Sequence, residues 1–151
     1  MSQPVVTPNT LCQVGLVVKD IEASARAWSA VFGLPVPNVV ITDEYDKAHT
    51  NYRGQPSFAR AKLAFFQFGS MSIELIEPIG EPSTWKEALD AQGESVHHIA
   101  FMVENTPVVV KGLAEHGAPM VQQGHYTGGM YTYIDSKATL GVVLELLENF
   151  K

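Results

Sequence analysis

The sequence predicts an α+β fold built from two similar halves, because two apolar strand patterns recur with polar residues at matching places. Residues 12–20 (CQVGLVVKD) are echoed by residues 97–105 (HHIAFMVEN). Residues 72–78 (SIELIEP) are echoed by residues 143–149 (VLELLEN). In each half most strands follow one another without a crossover helix, which favours an α+β domain over a doubly wound sheet. We therefore expect one domain over residues 1–151 that contains two strand-helix-strand-strand-strand modules.

The first module is expected over residues 9–80 and opens on a mostly buried strand at residues 11–18. Asp20 then predicts the start of a helix, and Gly33 predicts its end. Apolar residues recur along one face of this helix with the spacing of an amphipathic helix. That predicted stripe consists of Ile21, Ala25, Trp28, Val31 and Phe32.

Residues 37–56 have no clear period and predict a loop or an irregular strand pair. Gln13 and Glu74 lie 61 positions apart, whereas the matching His98 and Glu145 lie 47 apart, so the first half carries 61 − 47 = 14 extra residues. We assign these residues to this segment. An extra loop beside a site often shapes what enters the site.

Residues 58–68 and 71–77 predict two adjacent strands joined by a turn, and these strands close the first module. A connector helix is expected over residues 83–93, because Thr84 and Glu87 fit a capping box.

The second module, over residues 95–149, repeats the order of the first. A strand at residues 96–103 precedes a helix for which Thr106 is the expected N-cap and Gly117 the expected stop. The residues expected to face inward from this helix are Val110, Leu113 and Ala114. Further strands are expected near residues 119–123, 130–135 and 141–148.

Composition and charge exclude several classes of partner. A net charge of −6 without a Lys/Arg cluster gives no electrostatic footprint for nucleic acid or for an anionic membrane surface. No segment approaches the roughly 18 consecutive apolar residues that a membrane span needs. The single cysteine, Cys12, excludes an intramolecular disulfide and suits a reducing compartment. We expect a cytoplasmic protein whose partner is a small molecule or a second copy of itself.

Four polar side chains occupy matching positions in the two halves. Gln13 aligns with His98 in the opening strands, and Glu74 aligns with Glu145 in the closing strands. Because side chains alternate between the faces of a strand, Glu74 is expected to share a face with Ser72. A carboxylate buried alone in so apolar a strand would be unfavourable by several kcal/mol, so a metal, a cation or a donor network is expected beside it.

The ordinary alternative is that each glutamate lies on the solvated face of an antiparallel sheet. That alternative gives no reason for polar residues to recur at two aligned positions, whereas pseudo-twofold symmetry would bring all four together. One imidazole, two carboxylates and an amide oxygen suit Zn²⁺, Ni²⁺, Co²⁺, Mn²⁺ or Fe²⁺ better than Cu(I). Symmetry therefore favours the hypothesis of one shared divalent metal ion.

Neighbouring histidines in a regular strand point to opposite faces, so His97 is expected to pack away from His98. The remaining histidines are interpreted as surface residues and are given no role; they are His49, His116 and His125.

Arg60 and Lys62 share a face of the 58–68 strand, next to the strand that carries Glu74. They could hold a substrate carboxylate or phosphate there. The alternative is that both are exposed charges at the edge of the sheet.

The chain resembles the vicinal oxygen chelate superfamily, which contains glyoxalases, bleomycin resistance proteins and dioxygenases, over nearly its whole length. Residues 72–80 (SIELIEPIG), 96–103 (VHHIAFMV) and 133–148 (YIDSKATLGVVLELLE) are most similar to methylmalonyl-CoA epimerases. The resemblance implies paired βαβββ modules that form an open, mostly antiparallel, barrel-like sheet around a central cavity with one divalent metal ion. The metal ligands that it implies are Gln13, Glu74, His98 and Glu145.

The ligand set departs from that of the epimerases, which usually have His at the position of Gln13. Gln with Glu, His and Glu is instead the set of eukaryotic-type glyoxalase I. The resemblance implies a metal-dependent isomerase or epimerase, similar to methylmalonyl-CoA epimerase, that removes a proton next to a chelated carbonyl. Glu145 would be the base and Glu74 its counterpart. The alternative activity is that of a lactoylglutathione lyase, and the substrate would be an acyl-CoA thioester or a hemithioacetal.

An epimerase of this kind would need a further glutamate from the first half, and the nearest carboxylates there are Asp43, Glu44 and Asp46. Two other activities occur among proteins that the chain resembles. One is metal-free binding that sequesters a drug or metabolite, which has no need of the four polar residues. The other is ring-cleaving dioxygenation, which would require histidine in place of Gln13. A homodimer is expected by analogy with the superfamily.

Overall fold

The computed structural model describes residues 3–151 and, within them, contains ten strands in one sheet and five helices. The strands are β1 (Leu11–Val17), β2 (Val40–Ile41), β3 (Asn51–Tyr52), β4 (Gln55–Pro56), β5 (Arg60–Phe68), β6 (Met71–Ile79), β7 (Ser95–Met102), β8 (Met120–Tyr126), β9 (Gly129–Ile134) and β10 (Val143–Asn149). The helices are α1 (Ile21–Phe32), α2 (Tyr45–Ala48), α3 (Thr84–Gln92), α4 (Thr106–Glu115) and α5 (Lys137–Leu140).

The strands follow the order β2-β5-β6-β1-β7-β10-β9-β8-β3-β4 in a curled, half-barrel sheet. The centre of the sheet is symmetric, because β1 and β7 are antiparallel to each other and each has a parallel partner, β6 and β10 respectively. The other described pairings are antiparallel. The predicted α+β class and mostly antiparallel sheet are therefore confirmed. The division into modules over residues 9–80 and 95–149 stays a prediction.

Helix α1 begins and ends where the sequence predicts. The Asp20 carboxylate accepts a hydrogen bond from the Ala23 amide, and Gly33 ends the helix in the left-handed conformation. Ile21 and Ala25 are buried, but Val31 is 76% exposed, so its place in the stripe was wrong. At 3.6 residues per turn Val31 lies about 80° around the helix from Ile21, which turns it away from the sheet.

The predicted N-caps of α3 and α4 were each wrong by one residue. Ser83, not Thr84, caps α3 by accepting a hydrogen bond from the Lys86 amide. Asn105 precedes α4 in the left-handed conformation, and Thr106 is the first residue of the helix. Both the amide and the hydroxyl of Thr106 donate to Glu148 on β10. The start of this helix is therefore stabilised by a residue of a strand far away in the sequence.

The inward face of α4 also differs from the prediction. Val109 and Leu113 are buried, Val110 is half-buried and Ala114 is exposed. Residues three and four apart lie on one face of a helix, and the buried face of α4 runs through Thr106, Val109 and Leu113.

The segment 40–56, for which the sequence predicts a loop or strand pair, forms both ends of the sheet. Strand β2 pairs with β5 at one edge, whereas β3 pairs with β8 near the other edge and also with β4. Helix α2 lies between β2 and β3 in the chain. The segment therefore spans the open side of the curled sheet. The second half has no such segment, because β8 follows α4 directly in the chain.

In the described part of the chain, residues 3–151, no helix is long and apolar enough to cross a membrane.

Candidate metal centre

Four adjacent central strands each contribute one buried polar side chain to the concave face of the sheet. In strand order these are Glu74 on β6, Gln13 on β1, His98 on β7 and Glu145 on β10. Their polar atoms converge on Nε2 of His98, which lies 2.7 Å from Glu145 Oε2, 3.2 Å from Gln13 Oε1 and 3.4 Å from Glu74 Oε1. Residues that are 132 positions apart in the sequence, Gln13 and Glu145, thus meet around one atom.

The pairing of β1 with β7 is interrupted twice, and each interruption directly precedes one of these side chains. On β1, Leu11 lies opposite Phe101 and Gln13 opposite Ala100, so Cys12 has no residue opposite it. On β7, Val96 lies opposite Leu16 and His98 opposite Gly15, so His97 has none. Such β-bulges bend a strand and re-aim its side chains. The two bulges occupy matching positions in the repeat, so they are part of its symmetry.

The bulge at His97 explains why the prediction for this residue was wrong. His97 does not pack away from His98, because Nδ1 of each ring lies 2.9 Å from Nδ1 of the other. Nε2 of His97 lies 3.0 Å from the hydroxyl of Thr84 at the start of α3. Burial, reinforced by His98, lowers the pKa of His97 well below its usual range, so the ring is neutral at pH 7. Nδ1 of a neutral His97 can accept a hydrogen bond from Nδ1–H of His98, which leaves Nε2 of His98 free as a ligand.

Glycine is required opposite His98. Gly15 pairs with His98 across the strands, and a Cβ atom at Gly15 would lie 2.6 Å from both ring nitrogens. The matching residue of the other half is Ala100, which lies opposite the more flexible Gln13. The imidazole therefore fills the space that a side chain at Gly15 would take.

Gln13 is oriented by Ser72 on β6. The amide nitrogen of Gln13 donates to the Ser72 hydroxyl at 3.3 Å, so the amide oxygen faces His98. Ser72 and Glu74 lie on one face of β6, as the alternation of the strand predicts.

The charges of the cluster are strongly perturbed. Burial, reinforced by Glu145, raises the pKa of Glu74 to about 8 although His98 opposes the shift. Burial lowers the pKa of His98, but the Glu145 and Glu74 carboxylates outweigh this effect, and the net pKa of His98 is raised. Two carboxylates held together away from water thus compete for protons.

The donor set fits a divalent metal ion. Apart from their approach to the one nitrogen of His98, the buried oxygens Glu74 Oε1 and Glu145 Oε2 have no hydrogen-bond partner among residues 3–151. One ring nitrogen cannot donate to three oxygens at once. Ligand atoms from Glu74, His98 and Glu145 lie within 4.8 Å of one another, close to the roughly 3–4 Å that ligands about 2.1 Å from one ion would adopt.

The cluster lies at the base of a cavity of about 620 Å³, which is in the range of sites for drug-sized ligands. Much of the wall is apolar or aromatic, and it includes Leu63, Phe65, Trp85, Tyr131, Tyr133 and Leu147. The segment 40–56 supplies a further wall through Val40, Ile41, Thr42, Asp43, Ala48 and Thr50. The extra residues of the first half therefore line the cavity.

Arg60 and Lys62 are not brought to this cavity. On β5 the odd-numbered Leu63 and Phe65 face the cavity, and Phe65 pairs with Glu74, so the even-numbered Arg60 and Lys62 face the other side of the sheet. Arg60 lies 3.5 Å from Glu44 and also donates to the Thr42 carbonyl. Lys62 lies 3.4 Å from Glu77, so neither charge points toward Glu74.

Among the cavity-lining residues that were not predicted as site residues are one carboxylate and one imidazole. Asp43 lies half-buried just after β2, and His125 lies on β8, where its buried Nδ1 has no hydrogen-bond partner in the described part of the chain. Neither residue has a matching polar residue in the other half of the repeat. Their places in the cavity wall depend on how the segment 40–56 packs against the β8–β9 hairpin.

A family model described as the Glyoxalase/Bleomycin resistance protein/Dioxygenase superfamily matches residues 12–134. The curated Bacillus subtilis (strain 168) protein YqjC, called uncharacterized, is 27% identical over 144 residues, which are 93% of this chain and 92% of that protein. The crystal structure of methylmalonyl-CoA epimerase from Mycobacterium tuberculosis is 21% identical with a TM-score of 0.67, over 100% of this chain and 93% of that chain. A methylmalonyl-CoA epimerase in complex with methylmalonyl-CoA and NH4+ is 20% identical with a TM-score of 0.64, over 93% and 94%. At these identities the likeness to the solved structures is one of fold.

Proposed function

The chain belongs to the glyoxalase/bleomycin resistance protein/dioxygenase superfamily, and from this premise we propose that it is a divalent-metal-dependent isomerase or epimerase. It would remove a proton from the carbon next to a carbonyl, as a methylmalonyl-CoA epimerase does. The observation that carries this proposal is the convergence of four ligating side chains on one point at the base of a cavity. The likeness of fold to two methylmalonyl-CoA epimerases supports it.

The ligands of the metal would be the amide oxygen of Gln13, the carboxylates of Glu74 and Glu145, and Nε2 of His98. Zn²⁺, Ni²⁺, Co²⁺, Mn²⁺ and Fe²⁺ all suit one nitrogen and three oxygens. A bound divalent ion would supply Lewis acidity that polarises a carbonyl oxygen of the substrate. His97 would hold His98 in the tautomer that presents Nε2 to the ion.

Glu145 and Glu74 would move the proton. They lie on β10 and β6, which are separated in the sheet by β7 and β1, so they flank the cluster from two sides. A carbon held between them would have one carboxylate on each face. Glu145 would take the proton from one face, and Glu74, which would have to leave the ion to do so, would return a proton to the other. Inversion of a carbon centre requires such a base on each side.

The Gln/Glu/His/Glu set favours a second candidate activity, that of a glyoxalase I-like lactoylglutathione lyase. The two candidates share the ligands and the proton transfer and differ in substrate, an acyl-CoA thioester or a hemithioacetal. Metal-free sequestration of a small molecule is the alternative from another class, and the apolar wall of the cavity favours it.

The proposal is tested by growth in minimal medium, elemental analysis of the purified protein and thermal denaturation with each of the five metals. We expect about one bound ion per chain and a clear rise in Tm. Exchange of the α-proton with D₂O, followed by NMR, then tests methylmalonyl-CoA and the hemithioacetal of methylglyoxal and glutathione. Glu145→Gln is the matched variant and should lose exchange. Absence of both a bound ion and a metal-dependent Tm shift would instead support metal-free binding.

A further inference from the structure

Among residues 3–151, neither lysine nor arginine lines the cavity beside the four candidate ligands. Its carboxylates are Asp43, Glu74 and Glu145, and its one imidazole outside the cluster is His125. A divalent ion would balance the two glutamates, so the cavity would stay neutral or slightly negative with the ion in place.

The cations nearest in sequence to the cavity wall are held elsewhere. Arg60 and Lys62 lie on the opposite face of β5, where Glu44 and Glu77 pair with them. Arg53 lies 3.4 Å from Glu87, and Lys47 is exposed on α2 without lining the cavity. The fold thus keeps positive charge away from the interior of the cavity.

Apart from the candidate ligands, Asp43, His125 and the Trp85 indole, the polar side chains that line the cavity carry hydroxyls. The Tyr133 hydroxyl accepts a hydrogen bond from Trp85 Nε1 at 3.0 Å, and the Tyr131 hydroxyl accepts one from Gln122 Nε2 at 3.1 Å. The oxygens of both tyrosines are thereby engaged, and their protons can be donated to an uncharged ligand oxygen.

We propose that the cavity selects a ligand whose only charged or chelating atoms are the vicinal oxygens at the metal, and whose remaining body is uncharged and apolar. This inference rests on the proposed metal site. An additional carboxylate in the ligand would lose its water and meet apolar side chains and the Asp43 carboxylate, with no cation to compensate. Glutathione carboxylates would therefore be disfavoured inside the cavity, and the phosphates of a CoA thioester would have to remain outside it.

Two probes that share a ring and a chelating group test the inference. Benzohydroxamic acid is uncharged beyond its chelating oxygens, whereas 4-carboxybenzohydroxamic acid carries one further carboxylate. Their Kd values for the metal-loaded protein are measured by calorimetry at pH 7. We expect the uncharged probe to bind at least 10-fold more tightly. Equal binding, or tighter binding of the carboxylate, would overturn the inference, as would failure of both probes to bind.

A variant at Phe65 gives a positive test. Phe65 lines the cavity and is 42% exposed, so Phe65→Lys should fold and place a cation at the wall. We expect it to reduce the preference for the uncharged probe to threefold or less, while the matched Phe65→Leu keeps the 10-fold preference. An unchanged preference in Phe65→Lys would contradict the role given to charge.

Failure of the proposed metal site is distinguishable from failure of this inference. If elemental analysis finds no metal, the proposed function fails, and selectivity is measured on the metal-free protein with acetophenone and 4-acetylbenzoate. The uncharged ketone should again bind at least 10-fold more tightly. A preference for 4-acetylbenzoate would overturn the inference whether or not a metal is bound.

Discussion

Replacement of Gly15 by alanine should disable the cluster without touching a candidate ligand. A Cβ atom at residue 15 would lie 2.6 Å from both nitrogens of His98, whereas ordinary contact begins near 3.4 Å. Cε1 of the ring would lie closer still, so the ring would have to withdraw by at least about 0.8 Å, although metal ligands must hold their distances to about 0.2 Å. His98 is 0% exposed and packs on His97 and Tyr133, so it has little room to move.

We expect Gly15→Ala to weaken metal binding by about 100-fold or more, because the effect on a ligand should exceed the 10–100-fold typical of its supporting residues. Overpacking should lower the free energy of unfolding by about 1–3 kcal/mol, which corresponds to a Tm lower by roughly 3–10 °C.

The assay is a competition titration with a chelating dye, together with Tm of the metal-free protein. Gly112→Ala is the control, because its Cβ would lie 2.8 Å from the side chain of Val5 and because α4, which contains Gly112, carries no candidate ligand. It should bind metal with wild-type affinity. Wild-type metal affinity in Gly15→Ala would refute the argument that His98 needs this glycine.

Three further predictions concern the same cluster. Glu145→Gln removes the nearest charged partner of the buried His98 ring, so it should lower the stability of the metal-free protein by about 1–3 kcal/mol, and the metal-induced Tm shift should be lost; a metal-free variant more stable than the wild type would contradict this. His97→Phe should keep the ring packing but lower metal affinity about 10–100-fold, and an unchanged affinity in the dye titration would remove His97 from the site. The metal-free protein should become less stable between about pH 6.5 and pH 8, by up to about 1.4 kcal/mol per pH unit for one proton; below this range the lowered pKa of His97 opposes the trend. The reason is that Glu74, with its pKa raised to about 8, and His98, with its raised pKa, hold protons in the folded state that the unfolded chain releases. Urea denaturation in the presence of EDTA checks the trend, which a rise in stability over this range would contradict.

Regular periodicity made much of the fold predictable. Alternating apolar residues located β1, β6, β7 and β10, and the Asp20 and Gly33 signals located both ends of α1. These signals act within one element, so a single sequence contains them. The N-caps of α3 and α4 were missed because the choice between neighbouring polar residues depends on partners elsewhere, such as Glu148 for Thr106.

The alternation of side chains along a strand explains one correct and one wrong prediction at the site. Alternation correctly placed Ser72 beside Glu74, because β6 is regular between them. It misplaced His97, because a bulge adds one residue to β7 and resets the alternation. Arg60 and Lys62 were expected beside Glu74 because their strand was known but its register was not; the pairing of Phe65 with Glu74 puts them on the other face.

The sequence by itself determined the duplicated order of elements and singled out Gln13, Glu74, His98 and Glu145 as matching polar positions. Both follow from local periodicity and from comparison of one half with the other. Only the tertiary structure decided that the four side chains meet at one nitrogen, that His97 supports His98, and that Gly15 leaves room for the ring. It also decided that part of the segment 40–56 lines a cavity to which no lysine or arginine among residues 3–151 contributes. These features depend on register between strands far apart in the chain, and a one-residue shift in register turns every side chain of a strand to the other face.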